Sequence, residues 1–211
     1  DTVALTEGSL TSASAGESGN GGEILAIGMN RLLMDSLAAL EATGGANSGN
    51  GGFIETSGYK SFQIGGTPDV SAAAGQGGTW LIDPNNIEIV AGGGNTNINA
   101  ANPFASTNDS AQLGVDLILT ALGLGNVTIT TQDGGTDLQA GDITLSTDLI
   151  YTGGTDSGLT LNASNDVNIN NAISATASAL DVTLNANSDE GADASGSGAV
   201  NVNAAITTNG S

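Results

Sequence analysis

Nucleophilic catalysis of the usual kinds needs an imidazole or a thiol, and this chain has no His and no Cys. No Ser/His/Asp or Cys/His arrangement can be built from it. Its titratable groups are 22 acidic residues against two basic ones, Arg31 and Lys60, for a net charge of −20. Two carboxylates at a set separation suffice for glycoside hydrolysis. With so many acids, coincidental pairs are expected, and the only adjacent pair, Asp189-Glu190, lies in a Gly/Ser/Ala stretch that reads as a solvated loop. A lyase acting on uronates needs a base and cationic groups, and Arg31 and Lys60 fall in different repeats. The sequence therefore nominates no catalytic, cofactor-binding or metal-ligating residue, and the expectation is a protein that is not an enzyme.

Calcium is the one ion the acid content suits. The phrases DGGTDLQAGD (133–142) and GGTDSG (153–158) are fragments of Asp/Gly calcium repeats, but neither completes the nonapeptide pattern and neither recurs in tandem. The expectation is no cofactor. Asn108, Asn126, Asn162 and Asn209 stand in glycosylation acceptor triplets, which chance explains in a chain so rich in Asn, Ser and Thr. Two basic residues cannot neutralise a row of phosphates, so nucleic acid is excluded, as is electrostatic docking on an anionic membrane. No apolar run approaches the length of a membrane span, so no membrane insertion is expected. The opening DTVALTEGSL does not read as a signal peptide. Without Cys, stability must come from a core and from backbone ladders.

The elements that would present any surface follow from a repeat. Leu10 opens LTSASAGESGNGGEILAIG, Leu40 opens LEATGGANSGNGGFIETSG thirty residues later, and Val70 opens VSAAAGQGGTWLIDP thirty further on. GNGG stands at 19–22 and 49–52 and returns as GQGG at 75–78. Such a period marks a solenoid whose units bury their apolar sides only against neighbours. With 33 Gly but 3 Pro and no Gly-X-Y period, collagen is excluded. Within residues 1–91 each unit reads strand, corner, strand, turn, strand. In the second, Leu40-Glu-Ala, Phe53-Ile-Glu-Thr and Ser61-Phe-Gln-Ile are the strands, GGANSGNGG is a corner and Ser57-Gly58 a turn. Pro84, which cannot donate in a ladder, marks a corner between Trp80–Ile82 and Ile87–Val90.

Residues 92–125 break the rhythm. The stretch AGGGNTNINAANPFASTN reads as a loop, followed by a short helix packed laterally on the solenoid near 110–122. Leu113, Leu117, Ile118, Ala121 and Leu122 share one helical face, Asp109 or Ser110 can cap the start and Gly123 the end. The competing reading is a strand pair, since Val115 to Leu119 also suits β structure.

Residues 126–211 return to strands in two alternating phrases. Val127-Thr-Ile, Leu159-Thr-Leu and Val182-Thr-Leu begin 32 and 23 residues apart; Ile143-Thr-Leu, Val167-Asn-Ile and Val200-Asn-Val begin 24 and 33 apart. The unequal steps place loops of different length, TQDGGTDLQAG and NSDEGADASGSG, on a constant rung. Apolar residues should stack in register, and the Asn residues of NASN, NINNA and NVNA should form ladders of side-chain amides. The core should draw on Phe53 or Ile54, Leu81 or Ile82, and Ile129, Leu145, Leu161, Ile169 and Leu184, because alternation sends only one of each adjacent pair inward. Seven or eight rungs at ~4.8 Å give a rod about 35 Å long.

The stretch Gly51 to Ile87, GGFIETSG…GTWLIDPNNI, resembles the filamentous-haemagglutinin-type large exoproteins of Gram-negative bacteria, the passenger chains of two-partner secretion. The phrases NVTITT, GDITLST and LTLNASNDVNINNAI are of the same kind, so the resemblance covers nearly the whole chain. It implies an all-β fold, a right-handed parallel β-helix (β-solenoid), secreted through a partner outer-membrane barrel to the cell surface or the extracellular medium. The implied roles are adhesion to a host or abiotic surface and biofilm formation, with contact-dependent toxicity and haemolysin-type activity elsewhere in the family. The Asn-Pro-Asn-Gly type motifs of the secretion domain do not occur; the only Asn-Pro is Asn102-Pro103. The resemblance thus implies a rod segment downstream of that domain and without effector domains, and it carries over no binding residue.

Strand phrases stand at both ends, TVALT and VNVNAAITTNGS, with no polar cap. The expectation is that further coils of the same chain or neighbouring copies cover them. Two functions follow: a non-enzymatic extracellular rod of a secreted adhesin, or a structural subunit stacking end to end into a filament or sheath.

Overall fold

Period-two alternation of apolar and polar residues builds nearly every element of this chain. The structure, a computed structural model, describes residues 1–58, 61–82, 86–93, 111–131, 140–188 and 198–210, without the side chains of Ser61 and Phe62. The chain opens with β1 (Thr2–Leu5) and β2 (Leu10–Ser12), then circles through β3 (Glu23–Gly28), β4 (Arg31–Met34) and β5 (Ala39–Glu41). The next circuits are β6 (Phe53–Gly58) and β7 (Ser61–Ile64), then β8 (Thr79–Ile82) and β9 (Ile87–Val90). Strand β10 (Ala111–Gly114) runs directly into α1 (Val115–Leu122), which leads to β11 (Asn126–Thr130). The remaining strands are β12 (Ile143–Leu145), β13 (Leu149–Tyr151), β14 (Ser157–Asn162), β15 (Val167–Ile169), β16 (Ile173–Ala175), β17 (Leu180–Asn185), β18 (Val200–Val202) and β19 (Ile206–Thr207).

Every registered strand pair is parallel. One face is the six-stranded sheet β3-β6-β8-β11-β14-β17. A second carries β1-β4-β7 and then β10-β9-β12-β15-β18, with β10 lying against β7. The third carries β2-β5, bridged on to Asp69, and then β13-β16-β19. Apart from β9 and β10, which pair within a single circuit, each strand pairs with the strand one circuit away, as parallel neighbours joined by long connections must.

Side chains stack in columns. On the six-stranded face Ile24, Ile54, Trp80, Val127, Leu159 and Val182 form one inward column. Ala26, Thr56, Ile82, Ile129, Leu161 and Leu184 form the next. The registers expected for the VTI/LTL and ITL/VNI phrases are those observed: Val127 with Leu159 with Val182, and Ile143 with Val167 with Val200. Ile54 and Ile82 take the inward places, fully buried, while Phe53 and Leu81 face outward and are half-buried. Ile129, Leu145, Leu161 and Ile169 are buried; Leu184, on the last strand of its face, is half-buried. Trp80 is the largest buried side chain, and its indole N–H donates to the Thr56 hydroxyl at 2.8 Å, so the polar handle of the ring is satisfied.

Glycine is needed where corners of successive coils touch. Gly19 and Gly49 stand at φ +118° and +113°, and a Cβ on Gly51 would collide with the carbonyl of Val70. This is what the recurrent GNGG encodes.

Three expectations are corrected. Ser57-Gly58 is not a turn but the end of β6, paired with Ile27 and Gly28. The helix begins at Val115, because Ala111–Gly114 is a strand paired in register with Ile87–Val90. Its N-cap is Gly114, in extended conformation and without a side-chain cap; Asp109 and Ser110 lie outside the described residues. Gly123 ends it as expected, its N–H donating to the Leu119 and Thr120 carbonyls. Nor is the helix lateral. Val115, Leu117, Ile118, Ala121 and Leu122 are all buried in the same core as the strand columns, and α1 packs on β11, β13 and β10. It forms the third face of its own circuit. An α-helix is about 10 Å wide and two strand spacings are about the same. The second face matches that width by being doubled: β9 and β10 come from one circuit, and β10, though later in sequence, sits between β7 and β9. The corner expected at Pro84, most of the loop expected at 91–108, most of the first calcium-like phrase, Lys60 and the Asp189-Glu190 pair lie outside the described residues.

Candidate functional site

The amides and carboxylates that dominate the polar sequence are placed by the corners and the outward strand positions. Between coils their bonding has one direction: the Oδ1 of one coil accepts from the coil after it, while Asp35 and Asp69 accept locally from Leu37 and Ser71. Asn162 accepts from the Asn185 amide at 2.8 Å, and Asn168 and Asn170 accept from Asn201 and Asn203 at 2.9 Å each. These are the ladders expected at NASN, NIN and NVN. Asn20 accepts the backbone N–H of Asn50, thirty residues on, and Asn50 that of Gln76. Asp142 accepts from the Asn165 amide and the Asp166 N–H, Asp148 from Ala172, Asp156 from Ala179 and Asp166 from Ala199. Glu88 accepts from Gln112 on β10 and from Ser146, the residue after β12. A charged acceptor on a backbone N–H strengthens the bond, so these acids serve the stack itself.

No group of three or more potential metal ligands occurs among the described residues. Of the second calcium-like phrase, Asp156 is engaged on Ala179. Arg31, half-buried, opens β4 between Thr2 and Ser61. Of the acceptor triplets, Asn126 is exposed, Asn162 is held in its ladder, Asn209 is exposed at φ 52° and Asn108 lies outside the described residues. Among the described residues the buried polar side-chain atom left without a partner is Ser164 Oγ.

Among the described residues, two concavities stand near these elements. One, of about 170 Å³, lies along β1 and β4 against Leu5, Leu33, Met34 and Gln63. The other, of about 460 Å³, is a polar slot where the third face turns into the six-stranded face. Its lower wall is the corner 71–77, its upper wall Thr155–Ser157 and its back Gly123–Asn126. At its upper wall the Ser157 hydroxyl donates to the Leu122 carbonyl at the end of α1, and the Tyr151 hydroxyl donates to the Thr155 carbonyl at 2.6 Å. The slot exists because the middle coil has almost no corner: α1 ends at Leu122 and β11 begins at Asn126, whereas β5 and β6 are separated by the long GNGG corner. Nothing in the repeat spacing places Gln76, Asn126 and Asp156 together. The signal was there only as the change from GNGG to GQGG and the shortness of GLG after the helix.

No protein-family model matches the chain, and no curated protein matches it.

Proposed function

We propose that the chain is a right-handed parallel β-helical rod segment of a secreted adhesin or exoprotein of a Gram-negative bacterium. It is not an enzyme, and it acts outside the cell in surface attachment or biofilm structure after export through an outer-membrane partner. The observation that carries the reading is register kept over unequal steps. Side-chain ladders join residues 23 apart and 33 apart while the columns stay aligned. A core of small aliphatic side chains then tolerates outward insertions, as suits a long scaffold that displays surface. Right-handedness follows from the strong preference of parallel crossovers for that hand. The acids bonded to backbone N–H groups of adjacent coils fit a structural role better than a catalytic one.

Beads coated with the folded chain should attach to epithelial cells or to polystyrene-grown bacterial films more than beads coated with an unfolded variant. Equal attachment of both would reject the adhesive role. The alternative reading is a structural subunit that stacks end to end into a filament or sheath. Sedimentation of the chain as salt is raised separates the two, since charge repulsion opposes stacking only when unscreened.

A further inference from the structure

We infer that the slot between residues 71–77 and 155–157 binds a neutral polyhydroxylated ring, a single sugar residue of a glycan. The inference deepens the adhesive reading and rests on it for its biological setting, but its geometry stands alone. The two walls belong to coils two steps apart, so they are separated by about two strand spacings, and the recessed middle coil leaves one layer, ~4.8 Å, open between them. A pyranose is a disc of about that thickness with its hydroxyls around the rim.

The groups facing the slot are donors and acceptors that the ladders leave over. Asn50 accepts from the Gln76 backbone, but the Gln76 side-chain amide has no hydrogen bond among the described residues. Asn126 uses Oδ1 on the Gly158 N–H at 2.7 Å, which leaves both hydrogens of its amide nitrogen to donate. Asp156 uses Oδ1 on Ala179, which leaves Oδ2 to accept. The Ser71 hydroxyl adds a group of either sense. Interleaved donors and acceptors suit sugar hydroxyls, which are both.

Other occupants fit less well. A peptide strand would need free backbone groups, and the N–H groups of Gly123, Leu124, Gly125 and Asn126 are already bonded to Leu119, Thr120, Ala121 and Gly78. An anionic ligand would meet Asp156 and a chain of net charge −20. A calcium ion would find a single carboxylate among the lining residues. No aromatic ring lines the slot, so affinity should be in about the millimolar range.

The test is ¹H–¹⁵N NMR of the full 211-residue chain titrated with glucose, galactose, mannose and N-acetylglucosamine, with calcium chloride and an extended peptide as separate arms. At least one sugar should shift the side-chain amide signals of Gln76 and Asn126 saturably. Gln76→Glu and Asn126→Asp keep shape and the acceptor on Gly158 but remove the donors, and each should reduce affinity at least tenfold with unchanged circular dichroism. The inference is overturned if no sugar gives a saturable shift there, if the shifts persist in both variants, or if only calcium or the peptide binds. Failure of sugar binding with attachment of coated beads intact would reject the slot and keep the adhesive rod.

Discussion

Leu161→Asp is expected to destabilise the stack by on the order of 4 kcal/mol at neutral pH, the range of a carboxylate buried without a partner. Leu161 is fully buried between Ile129 below and Leu184 above, both aliphatic. In a chain of this size the loss corresponds to a fall in Tm of about 10 °C. The neighbouring Thr160 faces outward in a column with Thr128 and Thr183, so Thr160→Asp should change stability by about 0.5 kcal/mol or less. The pH dependence has a definite sign. Burial raises the pKa of the new carboxyl in the folded state above its unfolded value of about 3.9. The charge penalty is therefore present above that value and fades as pH falls towards it. The gap in Tm between Leu161→Asp and the parent should be wider at pH 7 than at pH 4. Thermal melts of the three proteins at the two pH values check this, and equal loss from both substitutions would mean that the alternation is misassigned.

Ile118→Asp is expected to be about as damaging. If α1 were an ornament on the side of the solenoid, a charge on it would be tolerated by local fraying, and the strands would melt as before. Instead Ile118 is fully buried, and the helix fills the interval on the third face up to β13, with the Ser157 hydroxyl fastened to its last turn. Losing it would open the core on one side of the column that includes Val127 and Leu159. Urea unfolding should show one cooperative transition at much lower denaturant for Ile118→Asp, and a nearly unchanged one for the exposed Thr120→Ala. An early helix-only transition followed by a parent-like one would restore the lateral placement.

The contrast between these two sites shows what the residues alone disclose. Around Leu161 the phrase LTL recurs against VTI and VTL, so alternation gives the face and the spacing of phrases gives the register; both are local properties. The ladders at Asn162, Asn168 and Asn170 were readable for the same reason, since identical amides one coil apart have little else to bond. Around Ile118 the periodicity gave a helix but not its place. Leu113 fits the helical face by spacing, yet it lies in β10, because pairing with Ile87–Val90 overrides a local preference over four residues. That β10 threads between β7 and β9 depends on matching a helix width to two strand spacings, which no local pattern encodes. The polar slot was hidden more deeply, because it arises where a corner is missing.

The register of adjacent coils is the claim on which the columns, the ladders and the slot all depend. The chain has no Cys, so paired cysteines can be introduced without competing partners. Thr160 and Thr183 are register partners facing outward on β14 and β17, and Thr144 and Asn168 are partners on β12 and β15. Partners on adjacent parallel strands stand ~4.8 Å apart, within disulfide range, whereas the diagonal pair Thr160 and Asp181 is two residues out of register and beyond it. Mild oxidation followed by mass analysis of the monomer should show a disulfide in Thr160→Cys/Thr183→Cys and in Thr144→Cys/Asn168→Cys, and none in Thr160→Cys/Asp181→Cys. A disulfide in the diagonal variant with none in the two direct ones would contradict the stack.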